Sequence, residues 1–207
     1  MTGTEVLKES VLNVCKEMYR IGLVRGTSGN VSARDPETGL IAIKPSGVPY
    51  DDMKLEDIVV IDLERNIVEG SRKPSSEVPM HTQVYKERKD VNGIVHTHSL
   101  YATAFASVGR EIPALNIMSV AIGGSVPVAE YATPGSEELG REAVRAIGDR
   151  KAVLLKNHGV LAIGATLSSA FGVAIRVEEF AHMSFVAFQI GDPISLTAAE
   201  LKKISES

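Results

Sequence analysis

Two histidines stand one residue apart in the segment IVHTHS, residues 94–99. The β-branched and apolar residues before them indicate a strand, in which residues i and i+2 point to the same face. His96 and His98 would then lie side by side, with Thr97 turned away. Two imidazoles on one rigid face can chelate a metal ion. A hydrogen-bonded pair of histidines near a surface explains this segment alone equally well.

A third histidine strengthens the metal interpretation. His158 follows the predicted strand AVLLK and precedes Gly159, which permits a sharp turn, and loops at strand ends often carry binding sites. Three histidines can form a catalytic zinc site that keeps one position open for a substrate oxygen. The other two histidines, His81 and His182, lie in helical patterns and are predicted to pack in the interior or to face solvent.

Three segments rich in small and hydroxyl residues are candidates for binding an anion. The turns that contain Gly29-Asn30 and Ser46-Gly47 could offer backbone N–H groups to a phosphate. Ser75-Ser76 precedes a predicted helix, whose first N–H groups attract anions, although ordinary capping by Ser76 and Glu77 also explains that segment. Neither the G-x-x-x-x-G-K-[ST] nor the G-x-G-x-x-G pattern occurs, which excludes those two kinds of nucleotide site.

The hydrophobic periodicity indicates a mixed chain of helices and strands. Strands outnumber helices in the first half and helices flank strands in the second, which favours an α/β sandwich with a mixed or antiparallel sheet. No repeat, low-complexity run or linker divides the chain, so we expect one domain over residues 1–207. The predicted elements are a helix over 6–22, hairpins over 31–44 and 57–70, a helix over 76–89, strands near 91–99, in SVPVA and on both sides of Gly159, and a long helix over 166–189. Ser136 is predicted to cap a further helix, since Glu137 and Glu138 in its first turn favour the helix dipole.

Composition excludes several classes of protein. With 44% apolar and 23% charged residues the chain can bury a core and is not disordered. The formal charge of −4 provides no basic surface for nucleic acid. The single cysteine, Cys15, cannot form an intrachain disulfide, which fits a reducing compartment. Because neither a signal sequence nor a stretch of membrane-spanning length is present, we expect a cytoplasmic protein.

As an ordered set, these motifs resemble those of the class II aldolase/adducin family, and most closely its L-fuculose-1-phosphate aldolase branch. The resemblance runs from about Val6 to about Pro193. The segments that carry it are GTSGNVSAR, IKPSGVPY, PSSE, IVHTHS, IPALN, the GG pair at 123–124, YATPGSEEL and LLKNHGVLA.

The resemblance implies a fold, a cofactor and a set of site residues. The fold would be a three-layer sandwich of helices around a mainly antiparallel sheet, assembled as a homotetramer. A divalent metal, zinc with manganese or cobalt as alternatives, would be bound by His96, His98 and His158. Glu77 would be the catalytic acid/base and would also approach the metal in the absence of substrate. The implied phosphate-binding residues are Thr27, Gly29, Asn30, Ser46, Gly47, Ser75 and Ser76.

The implied activity is metal-dependent cleavage of a ketose 1-phosphate, similar to L-fuculose 1-phosphate, into dihydroxyacetone phosphate and an aldehyde. One position departs from the branch: Ile117 stands where the fuculose-phosphate enzymes have a proton-donating tyrosine. An isoleucine cannot donate a proton and makes the aldehyde end of the pocket more apolar. The identity of the aldehyde therefore stays open.

Three other functions within the family remain as alternatives. Pentulose-phosphate 4-epimerases share the bond-breaking step but have aspartate at the position of Glu77. A methylthioribulose-1-phosphate dehydratase would share the histidines and accept an apolar pocket. A non-catalytic, adducin-like scaffold would not need three histidines together with Glu77.

Overall fold

In the computed structural model, which describes residues 3–206, the strands form one eight-stranded sheet. Its order is β4-β3-β2-β1-β5-β8-β7-β6, and every described neighbour is antiparallel except the β6–β7 pair. The mainly antiparallel sheet is therefore confirmed. The strands are β1 (Asn30–Arg34), β2 (Ile41–Ile43), β3 (Val59–Ile61), β4 (Ile67–Glu69), β5 (Gly93–Thr97), β6 (Val128–Ala129), β7 (Ala152–Leu155) and β8 (Gly159–Gly164).

Helices cover both faces of this sheet. Alternation along β5 sends Ile94 into one buried cluster and Val95 into the other. Helices α1, α3 and α5 contribute to the cluster that contains Val95, whereas α2 and α4 contribute to the cluster that contains Ile94, so the three-layer arrangement is confirmed. The helices are α1 (Gly3–Arg20), α2 (Val78–Glu87), α3 (Leu100–Ser107), α4 (Glu137–Ile147), α5 (Leu167–Ile190) and α6 (Ala198–Ser205), with 3₁₀ turns at Leu55–Asp57 and Ile117–Ile122.

Most of the predicted elements occur close to their expected positions. The Ser136 hydroxyl accepts a hydrogen bond from the Leu139 N–H at 3.2 Å and so caps α4 as expected. Two predictions need adjustment. The strand expected in SVPVA is only two residues long, at the edge of the sheet beside β7. His98 lies just after β5 rather than within it.

Strand pairing brings distant motifs to one end of the sheet. Asn30 is paired with His96 across β1 and β5, and Leu161 is paired with His96 across β5 and β8. An isolated bridge between Pro45 and Pro74 places the Ser46 turn beside the serine pair at 75–76. Residues as far apart in the sequence as Asn30 and Leu161 therefore meet at the same place.

None of the helices in residues 3–206 combines the length and hydropathy needed to span a bilayer. One domain over residues 1–207 stays a prediction, and positions 1, 2 and 207 of that range lie outside the described residues.

Candidate active site

Three imidazoles converge at this end of the sheet. His96 is fully buried in β5, His98 follows the strand, and His158 lies in the β7–β8 turn. Their ring centroids are 4.7 to 5.0 Å apart. One ring nitrogen of each histidine lies within 4.8 Å of the corresponding nitrogens of the other two. The three rings could therefore hold one metal ion between them. The structure thus brings together the three histidines singled out in the sequence.

The hydrogen bonding of His96 sets the character of this cluster. Its Nδ1 lies 2.8 Å from the carbonyl oxygen of Val160, so Nδ1–H donates and Nε2 faces the cluster, with a lone pair when the ring is neutral and with a proton when it is charged. That Nε2 lies 2.9 Å from His98 Nε2 and 3.0 Å from Glu77 Oε2. Electron-rich atoms at these distances repel one another unless a proton or a metal cation lies between them. When one nitrogen of a histidine binds a metal, the other usually donates to a carbonyl or carboxylate oxygen, which orients the ring, as the Val160 carbonyl does for His96.

Glu77 adds a carboxylate to the three imidazoles. It is the residue immediately before α2, and its side chain is buried. Its Oε2 accepts a hydrogen bond from Asn30 Nδ2 at 2.8 Å, while Oε1 lies 3.4 Å from His158 Nε2. Among residues 3–206, neither Glu77 Oε1 nor the buried Nδ1 of His158 has a hydrogen-bond partner. Three imidazole nitrogens and a carboxylate oxygen without a partner suit zinc, manganese or cobalt.

The surroundings fix the charge of each group. Burial alone would raise the pKa of Glu77, but the charge of His96, with hydrogen bonds from His96 and Asn30, holds that pKa well below its usual range. Burial by itself would lower the pKa of His96, whereas the Glu77 carboxylate raises it above the ordinary value. Burial and the charge of His96 lower the pKa of His98 to about 4 and that of His158 to about 4. His98 and His158 are therefore neutral at neutral pH and could each offer a lone pair to a metal.

His98, His158 and Glu77 line a cleft of about 360 Å³. Apart from His96, which is buried behind it, every site residue predicted from the sequence lines this cleft. The lining residues are Thr27, Ser28, Gly29, Asn30, Lys44, Pro45, Ser46, Gly47, Ser75, Ser76, Glu77, His98, Pro134 and His158.

Close packing at Gly29 joins its turn to the strand that carries His96. A Cβ atom at this position would lie 2.8 Å from the carbonyl oxygen of His96 and 2.6 Å from Val24 Cγ1, and its φ of 72° also favours glycine. The turn can therefore approach β5 only because residue 29 has no side chain.

Asn30 lines the cleft, but both polar atoms of its side chain have protein partners. Nδ2 donates to Glu77, and Oδ1 lies 2.5 Å from His81 Nε2. His81 is fully buried, whereas His182 is exposed and stacks on Tyr101. The link between His81 and the site was not predicted from the sequence. The available signal was its position four residues after Glu77, one helical turn along the same face.

Lys44 also lines the cleft and was not predicted from the sequence. It is only 2% exposed, and its Nζ donates to the carbonyl oxygens of Thr27 at 3.1 Å and Pro45 at 3.4 Å. No acidic side chain among the described residues lies within ion-pair distance of Nζ, and burial lowers the pKa of the lysine. Its sequence signal was its position two residues before the Ser46-Gly47 turn. The structure thus places a buried cation without a carboxylate partner at the wall of the cleft.

Ile117 lies elsewhere. It begins the 3₁₀ turn Ile117–Ile122, is 63% exposed, and is not among the residues that line the cleft. Within one copy of the chain, position 117 therefore lies outside the cleft. This is the position at which the fuculose-phosphate enzymes have a tyrosine.

Comparisons with known proteins agree with this geometry. The profile of the family described as Class II Aldolase and Adducin N-terminal domain matches residues 9–185. The 5-deoxy-D-ribulose 1-phosphate aldolase of Bacillus thuringiensis serovar kurstaki is 40% identical over 199 residues, covering 96% of this chain and 93% of the relative. The 5-methylthioribulose-1-phosphate/5-deoxyribulose-1-phosphate aldolase of Rhodospirillum rubrum is 40% identical over 208 residues, which cover 100% of this chain and 93% of that relative. A solved L-fuculose 1-phosphate aldolase superposes with a TM-score of 0.94 at 39% identity, covering 100% of this chain and 96% of that one.

Proposed function

Because this chain belongs to the class II aldolase and adducin family and is an aldolase, we propose that it cleaves a ketose 1-phosphate into dihydroxyacetone phosphate and an aldehyde. The observation that carries the proposal is the shared cleft. His98, His158 and Glu77 line it together with the Gly- and Ser-containing turns, and His96 lies against Glu77 and His98. A phosphate held by the turns would place the adjacent sugar carbons near the histidines and Glu77.

The phosphate group would be held by the three anion-binding segments. Thr27 and Gly29, Ser46 and Gly47, and Ser75 and Ser76 supply hydroxyl and backbone donors around the cleft. We add Lys44 to this set, since a dianion would give its buried ammonium group the charge partner that the chain itself does not provide.

Glu77 would move the proton at the reacting carbon. In the cleavage direction the ionised Glu77 would accept the proton of the C4 hydroxyl, whose oxygen becomes the aldehyde carbonyl. The C3–C4 bond breaks, the aldehyde leaves, and the electron pair stays on C3 as an enediolate. Glu77 then gives a proton to C3, the carbon that becomes the hydroxymethyl group of dihydroxyacetone phosphate. In the reverse direction the ionised Glu77 removes that proton. A divalent metal bound by His96, His98 and His158 would supply Lewis-acid stabilisation of the negative charge on oxygen.

The substrate would carry an apolar group at its aldehyde end. Two relatives with 40% identity are named for 5-deoxyribulose 1-phosphate, and one of them also for its 5-methylthio analogue. Cleavage of these sugars releases acetaldehyde or a methylthio-substituted acetaldehyde, whereas L-fuculose 1-phosphate releases the more polar lactaldehyde. Ile117 could meet the aldehyde only from a neighbouring copy in the proposed homotetramer, where, in place of a proton-donating tyrosine, it would favour the two apolar aldehydes.

Zinc is the metal we propose, since three imidazoles with an open position are a common catalytic zinc site. We also propose the homotetramer that the family resemblance implies. Metal analysis of the purified protein and light scattering of the native assembly test these two points.

Proton exchange tests the central step. Zinc-loaded protein is mixed with dihydroxyacetone phosphate in heavy water, without aldehyde, and followed by NMR. We expect one of the two C3 protons to exchange, and Glu77→Gln to lose the exchange while keeping its metal. No exchange by the metal-loaded wild type would contradict the aldolase mechanism and favour the dehydratase. Comparing kcat/KM for acetaldehyde, methylthioacetaldehyde and lactaldehyde then identifies the aldehyde.

A further inference from the structure

A chain of buried hydrogen bonds leads away from Glu77 through the core. Asn30 Nδ2 lies 2.8 Å from Glu77 Oε2, and Asn30 Oδ1 lies 2.5 Å from His81 Nε2. On the other side of the ring, His81 Nδ1 lies 2.6 Å from Ser32 Oγ, which in turn lies 2.9 Å from the Tyr85 hydroxyl. Ser32, His81 and Tyr85 are completely inaccessible to solvent. Water therefore does not compete for these contacts.

Only one pattern of donors and acceptors satisfies this chain. An ionised carboxylate can only accept hydrogen bonds, so the amide group that faces Glu77 is the NH₂ of Asn30. The amide oxygen of Asn30 then faces His81, and because it too can only accept, His81 must carry its proton on Nε2.

The far side of the ring is consistent with the same assignment. Burial lowers the pKa of His81 to about 3, so the ring is neutral and its Nδ1 has a lone pair. Nδ1 accepts from the Ser32 hydroxyl, and Ser32 Oγ accepts from the Tyr85 hydroxyl. Ser32, His81 and Asn30 therefore each donate one hydrogen bond and accept one, and all of the donors point toward Glu77.

We propose that His81 is a positioning residue for proton transfer by Glu77. Its Nε2–H fixes the amide plane of Asn30, and the Asn30 amide then holds Glu77 Oε2 in place. Glu77 Oε1, which has no hydrogen-bond partner within residues 3–206, is left free to accept the proton. Glu77 and His81 are one helical turn apart at the start of α2, so the helix itself maintains the spacing. This inference rests on the proposed role of Glu77.

Two amide variants of His81 separate positioning from packing. In His81→Gln the amide nitrogen can reach the place of Nε2 and donate to Asn30, whereas in His81→Asn the shorter side chain reaches only the place of Nδ1. Both variants put an amide group into the same buried space. If His81 served only in packing, the exchange rates of the two variants would change alike. The readouts are the rate of dihydroxyacetone phosphate proton exchange, the Kd for that ligand and the metal content, all on zinc-loaded protein.

We expect His81→Asn to lower the exchange rate by about 10- to 100-fold, which is typical of removing a partner that orients an active-site group. Its Kd and metal content should stay near the wild-type values, and His81→Gln should recover most of the rate. Wild-type exchange rates in both variants would overturn the inference alone. Failure of the wild type itself to exchange would overturn the proposed function and the inference with it.

A second measurement needs no variant. The zinc-loaded wild-type protein is labelled with ¹⁵N-histidine, and the tautomer of each of its five rings is determined by NMR. We expect His81 to be neutral with its proton on Nε2. A proton on Nδ1, or a charged ring, would overturn the hydrogen-bond direction on which the inference depends.

Discussion

Gly159 faces the carbonyl oxygen of Thr97 so closely that a Cβ atom on Gly159 would overlap that oxygen. The same atom would lie 3.0 Å from His98 Cδ2 and 3.3 Å from His96 Cε1. Gly159 begins β8 and directly follows His158. The missing side chain is thus what lets the β7–β8 turn carry His158 up to the other two histidines.

Gly159→Ala should therefore disturb the metal site and the fold together. A methyl group here forces β8 away from β5, so we expect at least about a 10-fold loss of zinc affinity. The free energy of unfolding should fall by about 1 to 3 kcal/mol, as for other overpacked positions. The matched control is Gly172→Ala in α5, where the added Cβ would meet nothing within 4 Å. Zinc titration measures the zinc affinity of both variants, and urea unfolding measures their free energy of unfolding. Equal values for the two variants would contradict the prediction.

His158→Ala should abolish tight metal binding. It removes one of the three imidazoles from a turn and leaves the buried His96 in place. Because losing even an orienting partner costs about 10- to 100-fold in metal affinity, we expect a loss of more than about 100-fold. The control is His182→Ala, an exposed histidine outside the site. Elemental analysis after dialysis measures the metal per chain, and full occupancy in His158→Ala would disprove this ligand set.

Metal binding should release about one proton per site at slightly acid pH. In the metal-free protein Glu77 raises the pKa of His96, so this ring holds a proton below that raised pKa. His98 and His158, with pKa values lowered to about 4, hold none. The release should therefore fall as the pH rises through the pKa of His96. Calorimetric zinc titrations at about pH 6 and pH 8, in buffers of different ionisation enthalpy, measure the number of protons released per zinc ion bound. Release of two or more protons at pH 6 would contradict the assigned charges.

Lys44→Met should weaken substrate binding more than it slows the reaction. The variant removes the buried positive charge at the cleft and keeps a side chain of similar length. A hydrogen bond to a charged group contributes about 1.5 to 3 kcal/mol, so KM for the sugar phosphate should rise by about 10- to 100-fold. Lys16→Met, an exposed lysine of α1, is the control. Steady-state kinetics with both variants test this, and an unchanged KM in Lys44→Met would show that the ammonium group has no contact with substrate.

Arg34→Ala should destabilise the protein and with it the position of α2. This largely buried guanidinium donates to the carbonyl oxygens of Tyr85, Lys89 and Val91 at 2.9, 2.9 and 2.6 Å, at and beyond the end of that helix. Removing it leaves buried acceptors unpaired, and we expect the free energy of unfolding to fall by about 3 kcal/mol. Arg145→Ala breaks an exposed ion pair with Glu142 and should cost less than about 1 kcal/mol. Urea unfolding compares the two variants.

Local patterns in the sequence predicted much of the fold. Alternation of apolar residues identified the hairpins and β5, and Ser136 was correctly predicted as the cap of α4. The spacing of His96 and His98 also placed the two rings together, because residues two apart on an extended chain share a face. These signals involve neighbours in sequence, and their physical causes act within a few residues.

The sequence by itself, through local patterns and the family resemblance, predicted which residues should carry the chemistry: the three histidines, Glu77 and the turns rich in Gly and Ser. Only the tertiary structure decided that β8 pairs with β5, which brings His158 to His96, and that Asn30 lies between Glu77 and His81. It also decided that Lys44 is buried at the cleft. The physical reason is that periodicity shows which face of a strand is buried but not which strand lies beside it. That choice depends on the packing of the whole sheet against two layers of helices.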